Sequence, residues 1–208
     1  MLAYLLGAVP NGFLIAKAKG IDIRKVGSGN IGATNAFRIL GKTAGAAVLL
    51  ADGLKGFAAC AWLCDVLLPW LNVPRPDIEL HRIVAGVAVV LGHNYTCWLY
   101  FKGGKGIATS AGVLVALMPT ALLIILGVWI VVFALSRYVS LASILASAAL
   151  PFAGWLVGES RTIITVTAGL AALAIYKHKA NIKRLLNGTE NRIGRKQTAA
   201  SDSPKAAA

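Results

Sequence analysis

The chain has 208 residues, is 57% hydrophobic and only 14% charged, and carries a net charge of +13 with a mean hydropathy of +0.71. Soluble domains are about a quarter charged, so this composition argues against a soluble protein and, with its long apolar runs, for an integral membrane protein. Nucleic-acid binding is disfavoured because the aromatic residues lie within apolar runs rather than on a basic surface, and positive cytoplasmic loops account for much of the excess charge.

Apolar runs fall near 1–16, 43–64, 83–101, 107–118, 119–135, 141–157 and 162–176. The first has no basic region before it and no clear small-residue cleavage site, so it reads as a retained span rather than a signal peptide. Segment 17–42 follows, with Lys17, Lys19, Arg24, Lys25, Arg38 and Lys42 against Asp22 alone. It contains GSGNIGATNAFR at 27–38. In the run 43–64, Asp52 and Lys55 stand at i,i+3 spacing. Charges at that depth are paired or functional, and mutual pairing is the simpler reading. Cys60 and Cys64 read as packing residues; with Cys97 they form no C-x-x-C pair, which argues against a disulfide framework or a zinc site.

Segment 65–82 differs in charge, with Asp65, Asp77 and Glu79 against Arg75 and Arg82. The second polar stretch, GHNYTCWLYFKGGKGIAT, covers 92–109. The apolar stretch 107–135 is expected to break at Met118-Pro119, because proline disturbs a helix interior. Arg137, Ser140 and Ser143 mark the start of the next helix, with Ser140 as an N-cap candidate. The third polar stretch is HKANIKRLLNGTENR at 178–192.

Charge asymmetry sets a topology. The three basic stretches belong inside and 65–82 outside. Only a break at Pro119 gives the even number of later spans that brings the basic tail back inside. The expected fold is therefore an all-α integral membrane protein with seven transmembrane helices, N-terminus outside and C-terminus cytoplasmic. Residues 1–194 form a single polytopic membrane domain, and the basic tail 195–208 reads as disordered.

In the first polar stretch, Gly27, Gly29 and Gly32 permit a loop whose N–H groups face an anion. Ser28, Asn30, Thr34 and Asn35 add donors, and Arg38 can grip a phosphate bidentately. An ordinary interhelical turn is the alternative. The second stretch resembles a P-loop only superficially: G-x-x-x-x-G-K-[ST] is absent and no strand precedes it. Its Lys102, Gly103, Gly104, Lys105 and Thr109 still offer N–H groups, two cations and a helix start near residue 107. A plain positive-inside loop is the alternative. His93, close by, reads as structural before catalytic. In the third stretch, His178 and Asn181 share a face at i,i+3. Ile182, Leu185 and Leu186 could meet lipid while Lys183, Arg184 and Arg192 meet headgroups, as in an interfacial helix.

Several motifs are absent. There is no G-x-S-x-G nucleophile elbow, no acidic cluster to hold Mg²⁺ and no nucleotide motif. The sequence offers phosphate cradles and calls for no cofactor or metal.

Together these stretches identify a family. The chain resembles the bacterial acyl-phosphate-dependent glycerol-3-phosphate acyltransferases from Tyr4 to about Arg192, with all three signature regions in order. LLADGLKG at 49–56 and RYVSLAS at 137–143 add to the likeness. The resemblance implies transfer of a fatty acyl group from acyl phosphate to glycerol-3-phosphate, giving lysophosphatidic acid and phosphate, the first step of phospholipid synthesis. It implies a site at the cytoplasmic face of the bacterial inner membrane. On this reading Ser28 and Arg38, with Lys102 or Lys105, hold the glycerol-3-phosphate phosphate. Gly103, Gly104 and Thr109, with Thr34 and Asn35, cradle the acyl phosphate. Asn30, Arg137 and Ser140 are further substrate-binding candidates. His178 and Asn181 orient the attacking hydroxyl, with His93 a lesser candidate. Membrane lipid is the surrounding partner, and a soluble enzyme that makes acyl phosphate could dock on the basic face. The competing classes are a transporter or channel for a phosphorylated metabolite and a lipid-binding scaffold.

Overall fold

The computed structural model describes residues 1–72 and 78–194. The expected disordered tail, and the charges Arg75 and Asp77, lie outside the described residues. The helices are α1 (Leu2–Ala8), α2 (Asn11–Ala18), α3 (Ala33–Leu40), α4 (Lys42–Cys60), α5 (Trp62–Trp70) and α6 (Ile78–Asn94), then α7 (Ile107–Leu117), α8 (Pro119–Ser136), α9 (Val139–Leu156), α10 (Arg161–Lys177) and α11 (Lys179–Leu186). Short 3-10 turns occupy Ile23–Lys25 and Cys97–Leu99, and no strand occurs among the described residues. Three helical stretches among these residues are long and apolar enough to cross a membrane: Lys42–Trp70, Pro119–Ser136 and Val139–Leu156.

The helix breaks have local causes. Run 1–16 is not one helix but two, parted at Val9-Pro10. Proline lacks the N–H that would continue the ladder. An unpaired carbonyl in lipid costs roughly several kcal/mol, and here both carbonyls at the break are used. Ala8 O accepts from Thr96 Oγ1 at 2.5 Å, and Val9 O accepts from Lys55 Nζ at 2.9 Å. Run 43–64 turns at Ala61 and continues as α5 to Trp70. Run 83–101 stops being helical at Asn94, which leaves 95–106 as a loop. The expected break at Met118-Pro119 is present, with Pro119 at the first position of α8, where a missing N–H does no harm. Ser140 is not the cap of α9. Arg137 ends α8 in the left-handed region (φ 61°), Tyr138 is extended, and α9 therefore starts ahead of Ser140.

α4 packs on α7, α3 and α6, while α1 packs on α6, α8 on α9, and α9 on α10. Lipid tails are as apolar as leucine, so membrane helices associate through close packing of small residues. A Cβ built on Gly56 would overlap Thr109 O, and one on Gly112 would overlap Gly53 O, so α4 and α7 touch backbone to backbone. Gly7 against Val89 O and Gly92 against Tyr4 O do the same for α1 and α6. α8 instead turns Leu123, Ile130, Val131 and Leu135 outward.

The polar groups gather at two ends. At one end Arg82 pairs with Asp65 at 2.5 Å, and Glu79, Arg82, Leu117 and Glu159 line a cavity of about 860 Å³. At the other end the second and third stretches meet through Lys105 and Asn181, and the charge of Arg38 from the first acts on Lys105.

Candidate active site

The first stretch forms a loop shaped by one amide. Asn35, on α3, is buried. Its Nδ2 donates to Asn30 O (2.9 Å), Val26 O (3.1 Å) and Ile23 O (3.3 Å), and its Oδ1 accepts from Ser28 N at 3.0 Å. The side chain is thus committed to the loop, which it shapes from within. Gly27 must be glycine, since its φ is +61° and a Cβ there would overlap Asn35 Oδ1. Asn30 Oδ1 accepts from Gly32 N at 2.8 Å, a local turn that competes with regular structure. Ser28, Thr34 and Arg38 remain exposed on this surface.

The second stretch lies on the C-terminal end of α6. Gly104 N donates to His93 O at 3.0 Å and Gly103 N to Asn94 O at 3.2 Å. Gly106 (φ +84°) then turns the chain into α7. Lys102 is exposed, whereas Lys105 reaches inward and donates to Asn181 Oδ1. Thr109 is fully buried, and its hydroxyl has no partner among the described residues. Neither has the side-chain amide of Asn94. A backbone oxygen of Asn94 is shared: Lys177 Nζ also donates to it, at 2.9 Å.

The third stretch closes a network around one acid. Glu190 Oε1 accepts from Asn181 Nδ2 (2.7 Å) and Ser140 Oγ (2.8 Å), and Oε2 accepts from Arg184 Nε (2.7 Å). Asn181 is buried between Lys105 and Glu190. The expected headgroup-facing cations are not all so placed: Arg184 pairs with Glu190, and Arg192 Nε donates to Ser136 O at 3.2 Å. Arg184 is partly buried, whereas Arg192 stays exposed over the α8–α9 corner, onto which the chain past α11 doubles back: Ile193 N donates to Arg137 O at 3.0 Å. Leu186 does face outward.

The electrostatics follow from this crowding. Burial pushes the Lys105 ammonium down to about 8; Glu190 pulls it back up, while Arg184 and Arg38 push it further down. Burial also lowers His178 to about 4, with Lys105 adding to the effect. His178 Nδ1 lies 2.7 Å from Ala174 O and donates to it, leaving Nε2 as an acceptor in the neutral ring. Burial works against ionisation of Glu190, but hydrogen bonds from Asn181, Arg184 and Ser140 outweigh it and hold the carboxyl below its ordinary value. Around Lys105 the charges of Arg38 and Arg184 outnumber the lone carboxylate of Glu190, a surplus suited to a phosphate.

The candidates therefore divide. Lys105, His178, Asn181 and Ser140 meet in one network, with the charge of Arg38 felt at Lys105. Ser28, Thr34, Lys102 and Arg137 are exposed, and among the described residues no side-chain contact ties them to it. His93 belongs to a separate buried cluster, 3.6 Å from Asp52. Asp52 and Lys55 pair at 2.9 Å, as their spacing implied. Sequence reasoning missed Glu190 as the hub; being the lone acid among the basic residues of 177–194 was the available signal. It also missed Asn94 and Lys177, which nothing in their spacing linked.

Comparison with known proteins gives a consistent result. The family model described as glycerol-3-phosphate acyltransferase matches residues 1–188. The chain is 47% identical over 190 residues to the glycerol-3-phosphate acyltransferase of Geotalea daltonii, covering 91% of this chain and 93% of that one. It is 49% identical over 193 residues to that of Desulforudis audaxviator, covering 92% of each. Two crystal structures of PlsY (YgiH), an integral membrane glycerol 3-phosphate acyltransferase, are similar at 41% identity. The glycerol 3-phosphate form gives a TM-score of 0.81 over 93% of this chain and 92% of that one, and the lysophosphatidic acid form 0.78 over 92% of each.

Proposed function

The chain belongs to the glycerol-3-phosphate acyltransferase family, and from that membership we propose that it moves a fatty acyl group from acyl phosphate to glycerol-3-phosphate. The products are lysophosphatidic acid and inorganic phosphate. The observation that carries the site assignment is the network joining Lys105, Asn181 and Glu190, with Arg38 and Arg184 adding positive charge. Both substrates bring phosphate to a surface that has cations to spare.

Acyl phosphate is a mixed anhydride and already activated. The glycerol-3-phosphate hydroxyl attacks the acyl carbon, the bond from that carbon to the phosphate oxygen breaks, and phosphate leaves with the proton. No covalent nucleophile is required, and orienting the reactants alone can supply up to about 7–11 kcal/mol. Arg38 and Ser28, with Lys102, hold the glycerol-3-phosphate phosphate. The first turn of α7, with Thr109 and Lys105, receives the donor phosphate, because backbone N–H groups at a helix start favour an anion; the amides of Gly103 and Gly104, expected as donors to the phosphate, are spent on the end of α6 and shape the loop instead. Asn35 keeps loop 23–30 in shape. Asn181 and the Nε2 acceptor of His178 orient the hydroxyl, while Thr34, Asn30, Arg137 and Ser140 line the approach.

The site faces the cytoplasm of a bacterial plasma membrane in this reading. Seven crossings are assigned to α1–α2, α4–α5, α6, α7, α8, α9 and α10, with the N-terminus outside. Supporting this, Asp65, Glu79, Arg82 and Glu159 share the end remote from loop 103–106, as the charge rule requires. The basic inner face would also admit a soluble enzyme supplying acyl phosphate.

The test mixes purified protein in lipid with palmitoyl phosphate and glycerol-3-phosphate, without metal or nucleotide, beside a palmitoyl-CoA control. Equal release of phosphate and lysophosphatidic acid is the expected result. Product from the CoA ester alone would overturn the donor assignment, and phosphate without lipid product would indicate a hydrolase.

A further inference from the structure

Behind loop 103–106 lies a buried charged cluster that the reaction itself does not use. Asp52, Lys55 and His93 are 2%, 5% and 5% exposed. Asp52 Oδ1 accepts from Lys55 Nζ at 2.9 Å and from Asn11 Nδ2 at 3.0 Å, and lies 3.6 Å from His93 Nδ1. Ionisable groups within membrane helices are costly and face a functional interior. Lys55 already neutralises Asp52, so charge balance does not require the imidazole.

The other edge of that ring explains its presence. A Cβ built on Gly104 would overlap His93 Nε2 and lie close to Cε1 and Cδ2. The loop also bonds to the backbone of the same residue, through Gly104 N to His93 O at 3.0 Å. Gly103 differs: a Cβ there would meet only backbone, His93 O and Asn94. Thus Gly104 rests on the Nε2 edge of the imidazole, and the Nδ1 edge faces Asp52.

We propose that Asp52 and Lys55, acting through His93, are positioning residues that set the loop carrying Gly103, Gly104 and Lys105. The proposal rests on the reading that this loop binds substrate phosphate. His93 is then a template for the loop rather than a group that touches substrate. Lys55 fixes the carboxylate, the carboxylate fixes the ring, and the ring fixes the height of Gly104 above α6. A cluster that merely stabilised the bundle would change the amount of folded protein but would not single out one glycine.

The full chain, purified in lipid, tests this by a mutant cycle read as kcat/KM for acyl transfer from palmitoyl phosphate. Gly104→Ala and Gly103→Ala should each lower kcat/KM by about a hundredfold. Adding His93→Ala to Gly104→Ala makes room for the new methyl and should recover at least about tenfold. The same His93→Ala added to Gly103→Ala should recover nothing, because the obstacle there is backbone. Asp52→Asn should raise KM for a phosphate substrate several-fold with kcat held within about twofold. Absence of rescue at Gly104, or equal rescue at both glycines, would overturn the proposal. Wild-type kcat/KM in Gly104→Ala and Lys105→Ala would instead overturn the phosphate-loop reading beneath it. If the His93→Ala proteins aggregate, His93→Ser serves the same cycle.

Discussion

Glu190 decides which way Asn181 faces. Because Glu190 Oε1 accepts from Asn181 Nδ2 at 2.7 Å, the amide oxygen is left for Lys105. A glutamine at 190 would present an amide N–H₂ where Arg184, Ser140 or Asn181 now finds an acceptor. Glu190→Gln should cost about 1–3 kcal/mol of stability and lower kcat/KM by about tenfold or more. The sign with pH follows from the depressed carboxyl. Its stabilisation is present above the ordinary glutamate value of about 4.3 and is lost as pH falls through the lower folded value. Melting temperature measured from pH 7 down to 3 should fall for the wild type by an increment missing from Glu190→Gln.

Arg38 sits exposed at the end of α3, yet its charge is felt at Lys105. Exposed substitutions usually change stability within about 0.5 kcal/mol, whereas loss of a phosphate-gripping guanidinium should lower kcat/KM by about a hundredfold. Arg38→Lys should restore little, because lysine lacks the planar fork. Unchanged kcat/KM in folded Arg38→Ala protein would remove Arg38 from the site.

Lys105 makes activity and stability move in opposite directions with pH. The ammonium is lost as pH rises through about 8, so kcat/KM should fall above that value. Between about 8 and the ordinary lysine value near 10.4, the unfolded chain binds more protons than the folded one. The contribution of this group to stability therefore rises with pH over that window. Lys105→Arg should move the alkaline limb out of range, since guanidinium stays charged. An identical limb in both proteins would assign it elsewhere.

The α4–α7 crossing depends on hydrogen at two α-carbons. Gly56→Val places a branched side chain against Thr109 O, and overpacking of this kind costs about 1–3 kcal/mol or more. The melting temperature in detergent should drop. A change on the outer face of α8, such as Leu135→Ala, should leave it nearly unaltered, because Leu135 is 79% exposed to the surroundings.

The sequence exposed what is local and hid what is tertiary. Proline at 119 announced its break, and Asp52 and Lys55 announced their pairing by lying one helical turn apart. Glycines beside polar residues marked the first two loops, whereas the third stretch, marked by its basic charge, is mostly the helix α11. Pro10 carried the same signal as Pro119, and it parts two short helices within a stretch of continuous hydropathy. Neither the link from Asp52 to His93 nor that from Lys177 to Asn94 has a sequence spacing to betray it, because only helix packing brings them together. Ser140 illustrates a different limit. Its residue type suits a cap, yet the left-handed Arg137 starts α9 earlier and frees the hydroxyl for Glu190.

The break at Pro10 also orders the birth of the molecule. The carbonyls of Ala8 and Val9 leave the ribosome long before their partners, since Lys55 lies 46 residues later and Thr96 88 residues later. Until then Val9 O has only the amide of Asn11, at 3.1 Å, and Ala8 O lacks the Thr96 hydroxyl. The opening segment therefore gains its full set of contacts only once α4 and the loop after α6 are in place. The α1–α2 corner is thus held by contacts 46 and 88 residues distant along the chain.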